Sequence, residues 1–147
     1  MTAVYPAVWG LGQLITGKMA DLYSKKYMLV TGMLLQACAL ILFAAAEQME
    51  HFIFLSALLG WGTAMVYPTF LATVAENTQP LDRARSIGIF RLWRDLGYAI
   101  GALMTGIIAD NFGIIPAIIS IGILTFISAG VIELRMTSSS LRTKKMV

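Results

Sequence analysis

The chain has a single cysteine and a single histidine. One cysteine excludes an intrachain disulfide framework, and Cys38 lies inside an apolar run, where it reads as a small packing residue. One histidine excludes a histidine-based metal site; His51 follows Glu50 in a short polar stretch and reads as a solvated loop residue. There is no spacing of metal ligands, no nucleophile with a base and no phosphate-cradling glycine loop. The expectation is no enzyme, no metal and no other cofactor. Charge is also scarce, at 13% of residues with a net +3. The basic residues fall at the ends of apolar runs instead of on one face, so no nucleic-acid partner is expected.

Hydrophobic residues fill the space that charge leaves. They make up 58% of the 147 residues, and the mean hydropathy is +0.76, whereas soluble domains are roughly 45–50% apolar. No charged residue occurs from Met28 to Ala46, from Phe52 to Ala75 or from Phe112 to Ile132. Each run approaches the roughly 20 residues a helix needs to cross a bilayer core. Two further stretches are less clean: Thr2 to Gly17 ends at Lys18, and Ile87 to Ala109 is interrupted by Arg91, Arg94 and Asp95. The alternation of a membrane barrel is absent. The predicted fold is an all-α integral membrane protein with five transmembrane helices, at about 2–20, 28–46, 52–75, 86–109 and 112–133, followed by a basic tail over 135–147.

Loop charge sets the expected orientation, because Lys and Arg near helix ends mark the cytoplasmic side. Lys18, Lys25 and Lys26 flank the first loop, Arg83 and Arg85 the third, and Arg135, Arg142, Lys144 and Lys145 the tail. The second loop, "EQMEH", and the fourth, around "DNFG", carry no basic residue. The alternation places the C-terminus in the cytoplasm of a plasma (inner) membrane, prokaryotic by expectation. It also puts Met1 outside with no leader before it, so a piece of a longer chain is expected.

The stretch "GKMADLYSKK" (17–26) resembles the loop signature of the major facilitator superfamily, roughly G-x-L-A-D-R-x-G-R-K. Gly17, Ala20, Asp21, Lys25 and Lys26 match, while Leu22 and Ser24 depart from it. The long stretch 58–110, "LLGWGTAMVYPTFLATVAENTQPLDRARSIGIFRLWRDLGYAIGALMTGIIAD", looks like the tenth helix, the following loop and the eleventh helix of such a transporter. The resemblance implies helices eight to twelve of a twelve-helix transporter, part of its C-terminal half. The implied partners are a small-molecule solute, membrane lipids and the missing N-terminal half. It further implies that Asp21 latches the opposite half in one access state. On the residues alone, Asp21 suits backbone N–H groups or a positive helix end, and Lys25 and Lys26 suit a cytoplasmic, headgroup-facing position.

Arg91, Arg94 and Asp95 stand in the fourth run, where a charge costs on the order of 2.5–3.5 kcal/mol by insertion scales. Arg91 and Asp95 are four residues apart and share a helix face. They read as candidate coupling or gating charges, or as a self-neutralised pair. Gly97 and Gly101 form G-x-x-x-G, which favours close helix packing. Pro6, Pro68 and Pro116 are expected to bend helices. The resemblance turns helices eight, ten and eleven towards a central cavity and nine and twelve away. That favours Gln13, Tyr67 and Tyr98 as cavity residues and disfavours Gln36; Trp9 and Trp61 fit a cavity wall or an interfacial anchor.

A phrase occurs twice: "LITGKMAD" at 14–21 and "LMTGIIAD" at 103–110. Transporter halves of this kind consist of inverted three-helix units, in which the eighth and eleventh helices are equivalent. The expected function is that of a secondary transporter fragment moving a small solute by alternating access. The alternative is a non-transporting membrane scaffold.

Overall fold

The computed structural model describes residues 3–136; the side chain of Asp21 and the tail from residue 137 onward lie outside the described residues. Five helices follow in chain order: α1 (Val4–Leu22), α2 (Lys25–Phe43), α3 (Met49–Glu76), α4 (Arg83–Phe112) and α5 (Ile114–Arg135). No strand occurs among the described residues. The breaks have local causes. Tyr23 and Ser24 take extended backbone angles and separate α1 from α2. A single residue, Gly113, joins α4 to α5 at φ +93°, a conformation that disfavours any side chain.

Helix α3 lies between α1 and α2; α2 also packs on α5, and α4 rests on α5 and more lightly on α3. Small residues fill the interior. Ala37, Ala39, Ala64, Ala117 and Ala129 are buried, whereas Leu14, Leu103, Leu124 and many other large apolar residues are exposed. In water this inside-out distribution would forfeit the hydrophobic effect. It suits lipid, where small residues let helix backbones approach and the large ones meet acyl chains. Helices α2, α3 and α5 are long and apolar enough to cross a membrane. Helix α1, with 19 residues, and α4, with 30, have the length; Lys18 and Asp21 in one, and Arg91, Arg94 and Asp95 in the other, make them more polar.

One tight approach is at Gly60, where a Cβ would stand 2.7 Å from the Tyr5 carbonyl oxygen of α1. By contrast, nothing comes within 4 Å of a Cβ at Gly17, Gly97 or Gly101. The G-x-x-x-G of α4 thus meets no neighbouring helix among the described residues, and the tight seams run along α3 and between α2 and α5 at Gly122 instead.

The prolines divide differently from the sequence expectation. Pro6 and Pro116 sit in the first turns of α1 and α5, where backbone N–H groups have no intrahelical acceptor, so neither costs a bond. Only Pro68 interrupts a helix interior. It leaves the carbonyl of Ala64, four residues earlier, without its helical donor. Thr16 of α1 supplies one: its hydroxyl donates to the Ala64 oxygen at 2.6 Å and lies 3.0 Å from that of Gly12.

Candidate functional site

The gap between α1 and α4, which share no extended contact, forms a cleft of about 850 Å³ with α3 as its floor. From α1 come Tyr5, Trp9 and Gln13; from α2, Gln36; from α3, Thr63, Val66, Tyr67 and Phe70; from α4, Phe90, Trp93, Arg94 and Tyr98. The helical repeat puts residues four apart on one face. Tyr5, Trp9 and Gln13 therefore form a stripe on α1, and Phe90, Arg94 and Tyr98 a matching stripe on α4. The aromatic rings are ordered against each other. Tyr5 stacks on Trp9 at 6.3 Å and 23°, Trp9 meets Tyr67 edge-on at 6.3 Å, and Phe70 and Phe90 join α3 to α4 at 5.8 Å.

Polar groups on the wall hold one another in place. Gln36 donates its amide to the Thr63 hydroxyl at 2.8 Å, and Tyr5 reaches the same oxygen at 3.3 Å. Arg94 is fixed at three points. Its Nε and Nη2 each lie 2.9 Å from one oxygen of Asp95, and its Nη1 donates to the Tyr67 hydroxyl at 3.2 Å. The guanidinium also lies over the Tyr67 ring at 5.5 Å and near the Tyr98 ring at 6.0 Å. Both contacts are favourable for a cation against an aromatic face.

Gln13, Tyr67, Tyr98 and Arg94 thus share one cleft. Asp95 is bonded to Arg94, its immediate neighbour, and not to Arg91; the i,i+4 spacing pointed to the wrong arginine because Arg94 turns its guanidinium back along the helix. Arg91 is exposed and off the wall, and Asp95 is not part of the wall either, with its side chain 60% exposed. Gln36, expected outside, reaches the wall because Gly32 and Gly62 bring α2 close against α3. Trp9 is a wall residue, while Trp61 packs on Gly12. Tyr5, Phe90 and Trp93 were not singled out from the sequence; the four-residue aromatic spacing was the signal available.

A second charged cluster gathers helix ends. Lys25 and Lys26, in the first turn of α2, pair with Glu76 at the end of α3 and with Glu133 at the end of α5, the latter at 3.0 Å. Each lysine is poorly placed at its own helix N-terminus but well placed near the C-terminal dipoles of α3 and α5. The pairs therefore tie three helix ends together. Asp21 lies in the last turn of α1, and its side chain lies outside the described residues. No group of metal-ligating residues occurs among the described ones.

Comparison with known proteins adds a family. The model described as Major Facilitator Superfamily matches residues 1–144. Multidrug resistance protein MdtH of Yersinia enterocolitica serotype O:8 is 35% identical over 95 residues, which cover 65% of this chain and 23% of that protein. The MdtH proteins of Yersinia pestis strain Pestoides F and Yersinia pseudotuberculosis serotype O:1b match with the same identity and coverage. The matched stretch is thus under a quarter of the relatives' length, at 23%. No solved structure matches the chain.

Proposed function

This chain belongs to the Major Facilitator Superfamily, and on that premise we propose that it supplies helices eight to twelve of a secondary transporter that moves a small solute by alternating access. The observation that carries this reading is the cleft. It is walled by α1, α3 and α4, it is lined by aromatic and amide side chains, and one fixed cation projects into it. About 850 Å³ falls within the roughly 300–1,000 Å³ of ligand sites. In this reading Gln13, Tyr67 and Tyr98 contact the solute, Arg94 with Asp95 forms the coupling or gating pair, and Arg91 faces the membrane boundary.

Helix α4 has no buried residue. Its exposed Leu92, Leu96, Leu103 and Met104, together with the open Gly97 and Gly101, form a surface for the remaining helices of the transporter. The family loop, with Asp21 as latch, belongs on the cytoplasmic side of the bacterial inner membrane, together with Lys25, Lys26 and the arginines of the third loop. The Lys25–Glu76 and Lys26–Glu133 pairs then close the cytoplasmic end of this half. The relatives are multidrug resistance proteins, and drug-like solutes are the class proposed for this chain.

The test is flux. Inverted vesicles are prepared from cells producing the transporter that contains this chain, and cationic, neutral and anionic fluorescent dyes are compared. At least one dye is expected to accumulate faster than in control vesicles, and a bulky thiol reagent is expected to block it in a Cys38→Ser, Tyr98→Cys variant but not in Cys38→Ser alone. No accelerated dye, or block-insensitive flux, overturns the reading.

A further inference from the structure

We infer that the cleft takes a planar aromatic anion, with its carboxylate on Arg94 and its ring among the wall aromatics. The inference rests on the reading of the cleft as the solute path and names what that path accepts. It begins from which polar groups on the wall still lack partners. An arginine carries five N–H donors in a planar fork. Nε donates to Asp95 and Nη1 to Tyr67, and Nη2 lies 2.9 Å from the same carboxylate oxygen, so N–H groups on Nη1 and Nη2 remain. The amide N–H of Gln36 is already given to Thr63. The amides of Gln13 and Gln36 on the wall can serve a ligand as donor or acceptor, whereas Arg94 can only donate, so the ligand that completes the guanidinium brings acceptors.

Charge sharpens the choice. Among the described residues Arg94 is the only charged one on the wall, whereas Asp95 lies off it and is largely exposed. A ligand in the cleft therefore meets the guanidinium before the carboxylate. Asp95 and Tyr67 hold that guanidinium in one orientation, so an incoming carboxylate finds its donors already aimed. A cation in the same place would face Arg94 directly. The rest of the ligand follows from the rings. Seven of the twelve lining residues are aromatic, which favours a flat π-surface over a sugar or a bare inorganic anion. The volume admits two fused rings or more.

The probe is 2-naphthoate, with 2-naphthamide and 2-naphthylmethylammonium as its uncharged and cationic counterparts and inorganic phosphate as the ring-free anion. Binding to the purified full chain in detergent micelles is read by quenching of tryptophan fluorescence. Naphthoate is expected to bind about tenfold tighter than the amide, the size of a charge-assisted hydrogen bond, with the ammonium and phosphate weaker still. Arg94→Gln is expected to bring the naphthoate-to-amide ratio close to one; Arg94→Lys keeps the charge and retains part of the preference. Helix content by circular dichroism shows whether either variant has lost its fold, and the ratio in the other then decides. Tyr98→Leu is expected to weaken naphthoate and amide equally. Equal binding of the amide, tighter binding of the ammonium, a ratio insensitive to both Arg94 variants, or no binding of any probe overturns the inference. Naphthoate preference without flux in the dye assay would sink the transport reading alone. Flux without naphthoate preference would sink this inference alone.

Discussion

Pro68 and Thr16 form a pair whose energetic coupling is open to direct measurement. Pro68 has no N–H to give the Ala64 carbonyl, and the Thr16 hydroxyl, fully buried, reaches that oxygen at 2.6 Å from the neighbouring helix. Thr16→Val keeps the shape and removes the donor. In general, stranding a buried acceptor costs about 1–3 kcal/mol. Between membrane helices the measured average is nearer 0.6, with a maximum of about 1.7 kcal/mol. A loss of about 1 kcal/mol is therefore expected, roughly fivefold in the unfolding equilibrium. The decisive step is the second background. Pro68→Ala restores an N–H to the interior of α3, so the Ala64 carbonyl regains its own helical partner and no longer depends on Thr16. There Thr16→Val should cost close to nothing. The assay is a double-mutant cycle on the purified chain in mixed micelles, with unfolding by dodecyl sulfate followed by circular dichroism at the helix band. A coupling of about 1 kcal/mol is predicted. Equal costs of Thr16→Val in both backgrounds would refute the reasoning, because the hydroxyl would then not be serving the carbonyl that proline frees.

Gly60→Ala, whose new Cβ would lie 2.7 Å from the Tyr5 carbonyl oxygen, should destabilise the chain by about 1–3 kcal/mol in the same unfolding assay. Gly97→Ala, with nothing within 4 Å, should cause no loss in the isolated chain. Reversing one partner as Lys25→Glu should cost up to about 1 kcal/mol, less at high salt, and adding Glu76→Lys should restore it. In vesicles, Asp95→Asn in the transporter should remove the dependence of dye flux on an imposed proton gradient; undiminished coupling would leave Asp95 only as the residue that positions Arg94.

The five helices and their order are legible in the sequence because charge is expensive inside lipid; Glu47, Glu76, Asp110 and Glu133 delimit the uncharged runs. The family was legible at Gly17, Ala20 and Asp21, with Lys25 and Lys26. The site was less so. A G-x-x-x-G such as Gly97 and Gly101 announces a face that accepts a helix, but spacing does not say whether a helix lies there. The same limit hid Gly60 and the Gly32 and Gly62 crossing, which carry Gln36 into the cleft. Arg91 and Asp95 share a face, yet the shorter path from Arg94 won the carboxylate.

The repeated phrase has a local counterpart in the bonding. The Thr16 and Thr105 hydroxyls each lie close to the carbonyl of the glycine four residues earlier, Gly12 at 3.0 Å and Gly101 at 2.6 Å, although Thr16 gives its proton to Ala64. The two helices share this local contact and differ in their neighbours: a Cβ at Gly12 would meet Ala64, and one at Gly101 would meet nothing within 4 Å among the described residues.

The central claim is that the cleft between α1 and α4 is a water-filled solute path within an otherwise lipid-facing molecule. Cys38 is free and exposed, so the test begins from a Cys38→Ser background of the transporter. Single cysteines are placed by Gln13→Cys and Tyr98→Cys on the cleft and by Leu124→Cys on the outer face of α5. Each is treated with a membrane-impermeant maleimide, in whole cells and in inverted vesicles. Both cleft positions should label rapidly, with the preferred side of access shifting between the two preparations, while Leu124→Cys stays unreactive. Cleft positions that label no faster than Leu124→Cys from either side would contradict the account.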